Sequence, residues 1–180
     1  KKQHSYMMNY DMGFNKECLI TANIPLNSLD ERDAFSSELL NNPNIKEVAW
    51  SQDRMVADDR MTWGRWHHGE QMMLTVMPVS WNFLQVMGIE VVEGRDFLPS
   101  DEKGDGAIIL NEYAKKKYNL NLEEVIEWNG KPFPATGFCR DFHFKPLHEE
   151  SDAFAFYIYD SELLTKYFPT PHLTLRTIEN

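Results

Sequence analysis

The sequence predicts an α+β domain, in which a βαβ unit near the N-terminus is interrupted by an inserted β-rich subdomain of mixed and antiparallel pairing with short helices. Three observations predict it. Residues 16–51 read strand, helix, strand; residues 55–147 carry short apolar or alternating runs broken by Gly, Pro and Asn; and two further strand-like runs follow residue 148. The partition that follows places 1–54 with 148–180 in one unit and 55–147 in the inserted one. A chain of 180 residues, 42% of them hydrophobic, buries about 70% of the surface its unfolded form exposes, so its core needs neither disulfide nor metal.

The elements follow in order. Lys16 to Ile24 alternates as a half-buried strand with Cys18, Ile20, Ala22 and Ile24 on the apolar side, and Pro25 ends it. Ser28 with Glu31 forms a capping box that opens a helix to about Asn41, its apolar side being Leu29, Ala34, Phe35, Leu39 and Leu40. Asn42-Pro43-Asn44 stops the helix, and Ile45 to Ser51 is a second strand. Thr62 to His67 and Gln71 to Val79 are strands joined at His68-Gly69-Glu70. Ser80 caps a short helix, Trp81 to Met87, which Gly88 ends in the left-handed conformation. Ile89 to Val92 is a short strand with a tight exit through Gly94. Lys103 to Gly106 is a loop, Ala107 to Leu110 a buried strand, and Asn111 caps a helix to Tyr118. Glu127-Trp128, the Asn129-Gly130 turn and Lys131 to Phe142 make a hairpin with one long arm. Ala153 to Tyr159 and His172 to Ile178 are the last strands, with a short helix from Ser161 to Tyr167 between them.

Charge and composition narrow the function. With 28 acidic against 18 basic residues the formal charge is −10, and no compact basic patch opposes it, so nucleic acid is a poor partner. Cys18 and Cys139 have no CxxC spacing, which excludes a zinc knuckle and a thioredoxin-type motif. An oxidising compartment would permit them to pair, and cysteine usage leaves the compartment open. No apolar run approaches the ~20 residues that cross a bilayer.

Chemistry-bearing patterns are absent. His67 and His68 are adjacent in a strand and face opposite ways, while His143 and His148 flank a loop; no HExxH-type pair occurs. The acidic pairs Asp58-Asp59, Asp101-Glu102, Glu123-Glu124 and Glu149-Glu150 sit beside turn residues as solvated charges, with nothing to separate their pKa values for acid–base work. There is no GxSxG elbow and no phosphate loop. The expected chain therefore carries no catalytic residue, cofactor or metal. Trp63 and Trp66 lie three apart in a strand, on opposite faces, so they make no shared sugar-stacking platform; a core or subdomain-interface role is expected for the tryptophans.

Four strings remain. They are Tyr6 to Phe14 with Gly13-Phe14 at its end; Val79 to Ile89 with Gly88, running on to Gly94-Arg95-Asp96-Phe97; Ile108 to Ala114 with Asn111-Glu112; and Thr136 to Phe144 with Gly137, Asp141 and Phe142, followed by Pro146-Leu147. Their order and spacing resemble the periplasmic core domain of MacB/FtsX-type ABC transporter permeases, in the variants common in the Bacteroidetes lineage. Cys139 departs from the small aliphatic residue usual there, and the Trp63 to His68 stretch has no counterpart. Read physically, these are scaffold residues: Gly94 allows a sharp exit that Arg95 and Asp96 fix, and Asn111 caps a helix whose positive end suits Glu112.

The resemblance implies a porter-like βαβ subdomain next to the membrane, on the periplasmic face of the inner membrane, inserted between the first two transmembrane helices of a permease. It implies a cytoplasmic ATP-binding subunit or domain, a second permease copy, and a periplasmic adaptor, lipoprotein or cell-wall hydrolase as partners. The implied role is transmission of ATP-driven motion, with no enzyme activity. By the same resemblance the piece stops short of a final helix and strand, which would leave Leu173 and Leu175 poorly covered. A peptide- or lipid-sensing domain is the alternative, and would need an apolar pocket with a few convergent polar groups. A hydrolase would need a nucleophile–base pair assembled in a cleft.

Overall fold

A computed structural model describes residues 12–25, 29–57, 60–67, 69–103, 106–122, 125–128, 131–144, 152–158 and 171–178. The Ser28 cap, the Asn129-Gly130 turn, the 161–167 helix, His68, His148 and three of the acidic pairs lie outside them.

The strands are β1 (Leu19–Asn23), β2 (Ile45–Ser51), β3 (Thr62–His67), β4 (Glu70–Pro78), β5 (Val91–Gly94), β6 (Ala107–Asn111), β7 (Val125–Trp128), β8 (Lys131–Cys139), β9 (Phe154–Ile158) and β10 (His172–Thr177). The helices are α1 (Leu29–Leu40), α2 (Phe83–Met87) and α3 (Glu112–Tyr118). Seven strands form one sheet in the order β3-β4-β9-β6-β8-β5, with β7 also on β8; three form a second in the order β1-β10-β2. In the large sheet β4–β9 and β6–β8 are parallel and the other pairs antiparallel.

The large sheet is covered on both faces. Phe154, Phe156 and Ile158 of β9 point with Ala107 and Ile109 of β6 to the face that carries α2. Ala155 and Tyr157 point with Ile108 and Leu110 to the opposite face, where Ala114 of α3 packs. All ten residues of β6 and β9 are buried, which is why those segments read as continuous runs rather than as alternation.

The small sheet carries the expected βαβ unit in split form. Strands β1 and β2 are parallel to each other but not neighbours; β10 lies between them, antiparallel to both. Its insertion also overturns the expected poor covering of Leu173 and Leu175. They are 3% and 8% exposed, because a central strand carries them into a core with Val48 and Trp50, under Phe35 and Leu39 of α1. Residues 148–180 divide between the sheets, β9 joining the large one and β10 the small one.

Other differences are local. Alternation in β1 places Ile20 at 54% exposure rather than inside, since β1 is an edge strand and Phe35 and Leu39 of α1 pack over β10 and β2. Leu19, on the opposite face, packs against the main core instead. Cys18 is half-buried at φ 55° and Cys139 is buried; both are free thiols, and burial pushes the Cys139 thiol far up. Of the α1 apolar side, Phe35 and Leu39 pack inward while Ala34 and Leu40 face solvent. The strand expected at 89–92 forms at 91–94, because Ile89 N–H is used to close α2 on the Leu84 carbonyl.

Candidate functional site

Residues 6–11 of the first string and Pro146-Leu147 after the fourth lie outside the described residues; the described parts, from residue 12 to residue 144, meet in one region around α2, β5, β8 and the start of α3. Gly13 has φ +75°, and a Cβ there would lie 2.6 Å from the Asp141 carbonyl oxygen and 2.7 Å from Phe142 Cα. The contact is fastened by His143 N–H donating to the Met12 carbonyl at 2.8 Å. Phe14 then packs on the main core. Phe142 is buried against Phe154 and Phe156, with ring centroids 5.1 and 5.2 Å away, and touches Phe144 at 5.7 Å.

Gly88 ends α2 at φ 68°, its N–H on the Gln85 and Leu84 carbonyls, and comes within 3.0 Å of Asn15 when a Cβ is added. Gly94, at φ +76°, passes so close to β8 that a Cβ would lie 2.3 Å from the Thr136 carbonyl oxygen and 2.9 Å from Gly137 Cα. Gly137 in turn faces the Arg95 carbonyl at 2.6 Å. Two facing glycines thus let the β5 exit cross β8 backbone to backbone, with Arg95 N–H donating to Thr136 O at 2.9 Å.

The exit itself is held by charge. Arg95 donates to both carboxylate oxygens of Asp101, at 2.7 and 3.0 Å, and to the Asp96 carbonyl at 2.9 Å. The Asp101 bond holds the Arg95 guanidinium up. Burial works against ionisation of Asp101, yet the Arg95 and Leu98 N–H bonds keep its carboxyl below the usual range. Asp96 accepts from Phe97 N–H at 2.7 Å, but its partial burial dominates and pushes its carboxyl up. Phe97 is buried.

Asn111 is fully buried and does three things. Its side-chain oxygen accepts from Ala114 N–H at 3.0 Å and from Phe154 N–H at 2.9 Å, and its amide donates to the Asp152 carbonyl at 3.0 Å. Asp141 accepts from Tyr113 N–H at 2.8 Å, so two side chains from different strings cap α3. Glu112 is exposed in its first turn. These contacts are backbone-positioning; none presents a reactive group to a cleft.

Sequence reasoning misassigned Ser80 and missed Arg176. The Ser80 side chain does not cap α2; its hydroxyl accepts from Trp50 N–H at 2.9 Å and donates to Asn82 Oδ1. Ser80 N–H donates to Trp50 O at 2.8 Å, Gln52 N–H to Pro78 O at 3.0 Å, and Asn82 Nδ2 to Val48 O at 2.8 Å. These bonds join β2 of the small sheet to the large body. On the other side of α2, Arg176 of β10 donates to the carbonyls of Val86 at 2.8 Å, Glu17 at 2.9 Å and Asn15 at 3.0 Å. A lone charge at the end of an alternating strand gave no sequence signal for this.

Two surfaces stand out. Trp66, at 79% exposure on edge strand β3, has the most exposed large apolar side chain among the described residues, whereas Trp63 is 3% exposed in the core. The interior role expected for the tryptophans therefore fails at Trp66. Near the hairpin tip, His67, Glu70, Lys117, Tyr118 and Asn119 line an open depression of about 430 Å³. Among the described residues no three His, Cys, Asp or Glu side chains converge to hold a metal, and no helix is long and apolar enough to cross a membrane.

A split βαβ sheet is fused to a two-faced mixed sheet, and the residues of the four strings hold backbone at their junctions. Residues 6–172 match the family described as the MacB-like periplasmic core domain, and the chain belongs to that family. It is a periplasmic domain of the kind carried by MacB-like ABC transporter permeases, which belong to transporters that work with ATPase subunits. No curated protein matches it. Among solved structures it is similar to the periplasmic region of MacB from Actinobacillus actinomycetemcomitans, with TM-score 0.61 and 15% identity over 93% of this chain and 78% of that one. It is also similar to the extracellular domain of the noncanonic ABC-type transporter YknZ from Gram-positive bacteria, with TM-score 0.54 and 20% identity over 89% and 84%. A domain of a putative permease protein from Porphyromonas gingivalis aligns with TM-score 0.56 and 8% identity over 91% and 76%. At such identities these structures share the fold.

Proposed function

We propose that this domain is an interaction module that transmits ATP-driven motion of a permease to an extracytoplasmic partner: an adaptor, a lipoprotein or a cell-wall hydrolase. The observation that carries the reading is the double attachment of α2, whose flanks bond to β2 on one side and to β10 on the other. A module that passes on displacement needs its two sheets to move together, and a partner surface whose affinity differs between states. In this reading β1, α1, β2 and β10 form the membrane-proximal unit, while residues 55–147 with β9 form the distal one. Trp66, projecting from the distal edge, is the natural anchor for a partner, because exposed aromatic side chains supply large contact area at low entropic cost.

Spin labels on the distal unit of two permease copies test this in the full transporter. The expected result is a change in their separation between nucleotide-free and ATP-trapped states, with no change within one domain. An unchanged separation would falsify the reading. The sensing alternative calls for an apolar pocket, whereas the depression of about 430 Å³ beside the β3–β4 hairpin is lined by polar and charged residues.

A further inference from the structure

Helix α2 is five residues long and carries no basic residue in its last turn. Its closing carbonyls are nevertheless all answered. Leu84 and Gln85 are satisfied by the Gly88 and Ile89 N–H groups, Met87 by the N–H of Asn15 at 2.8 Å, and Val86 by the guanidinium of Arg176. The cation that the negative end of the helix favours thus comes from a strand of the other sheet, 90 residues away in sequence. The same guanidinium also holds the carbonyls of Asn15 and Glu17 in the segment that leads into β1.

The two sides of α2 are attached differently. Toward β2 two backbone pairs, Ser80 N–H to Trp50 O and Gln52 N–H to Pro78 O, continue the strand direction through the Ser51–Val79 bridge, beside side-chain bonds of Ser80, Asn82 and Gln85. Toward β10 three carbonyls depend on one side chain. A planar guanidinium with five N–H donors can span all three; an ammonium of the same charge is a point donor that cannot hold them in one plane.

We propose that Arg176 is the lock that makes the two sheets one rigid body, and that without it the β2–α2 contact becomes a hinge. Its use rests on the reading of the domain as a transmitter of motion, since it ties β10 and the segment leading into β1 to α2. The lock itself belongs to the isolated domain.

The test uses the 180-residue chain with Cys18→Ser, and spin labels at Ser37→Cys on α1 and Lys116→Cys on α3; Cys139 stays in place because it is fully buried. With Arg176 the distance distribution should be narrow. Arg176→Gln should at least double its width while the circular dichroism remains native, and Arg176→Lys should fall between the two. Gln85→Ala, which removes the surface bond to Glu47 on the β2 side, should leave the distribution narrow. A folded Arg176→Gln chain as narrow as the parent overturns the lock, whatever the permease copies do in the full transporter. Should Arg176→Gln fail to fold, amide exchange in Arg176→Lys decides. The Asn15 amide should exchange at least tenfold faster than in the parent, and an unchanged rate overturns the proposal.

Discussion

Glycine at 94 is set by two independent constraints, a positive φ and the oxygen of Thr136 where a Cβ would sit. Neither can relax, because the blocking atoms are backbone of a buried strand. Gly94→Ala should therefore destabilise the fold by about 2–4 kcal/mol, read as a shift in urea midpoint at unchanged slope. His172 makes the opposite kind of prediction, one that depends on pH. It is buried at the start of β10 with Nδ1 against Asn23 Oδ1, and its Nε2 is buried without a partner. Burial lowers its pKa, Asp53 opposes this, and Arg54 adds to it. A histidine held neutral in the fold binds its proton more readily when unfolded. Stability should thus be complete above the unfolded value of about 6.5 and fall as pH drops through it toward the depressed folded value. Urea midpoints of the parent and His172→Gln should converge between pH 7.5 and pH 5, the parent losing more. Parallel curves would show that protonation of His172 is not linked to folding.

At the level of the element, periodicity sorts the tryptophans of β3. Trp63→Ala removes a side chain packed against Phe133 and Tyr157 and should cost about 3–5 kcal/mol. Trp66→Ala, three residues on, should change stability by no more than about 0.5 kcal/mol, so any loss of partner binding in that variant reports on the contact itself. Helix α3 shows why a cap can matter beyond its helix. Asn111→Ala removes the Ala114 cap and also strands the buried N–H of Phe154 in β9. The expected cost is about 2–4 kcal/mol, above the ~1 kcal/mol of an ordinary cap. A thermal melt that gave only the smaller value would show the Phe154 N–H finding another acceptor.

For the whole molecule, the shared α2 predicts that both sheets unfold together. Far-ultraviolet circular dichroism and tryptophan fluorescence should give coincident melting curves, with Trp50 reporting from the small sheet and Trp63 from the large one; two transitions would mean that the joint is weaker than either core. What the sequence by itself determined was local. The strands at 45–51 and 107–110, the helix stops at Pro43 and Gly88, and the Asn111 cap all rest on residues close to one another in the chain, and the family resemblance on short strings read in order along it. The tertiary structure alone decided how distant segments meet: β10 between β1 and β2, β9 in the large sheet, Gly13 on Asp141, Ser80 on Trp50, and Arg176 on Val86. The physical reason is that propensity, capping and periodicity act over a few residues, whereas an edge or centre position in a sheet depends on which other strand arrives beside it. Leu173 and Leu175 carry the same side chains on either kind of strand, and only the neighbours supplied by β1, β2 and α1 make them core.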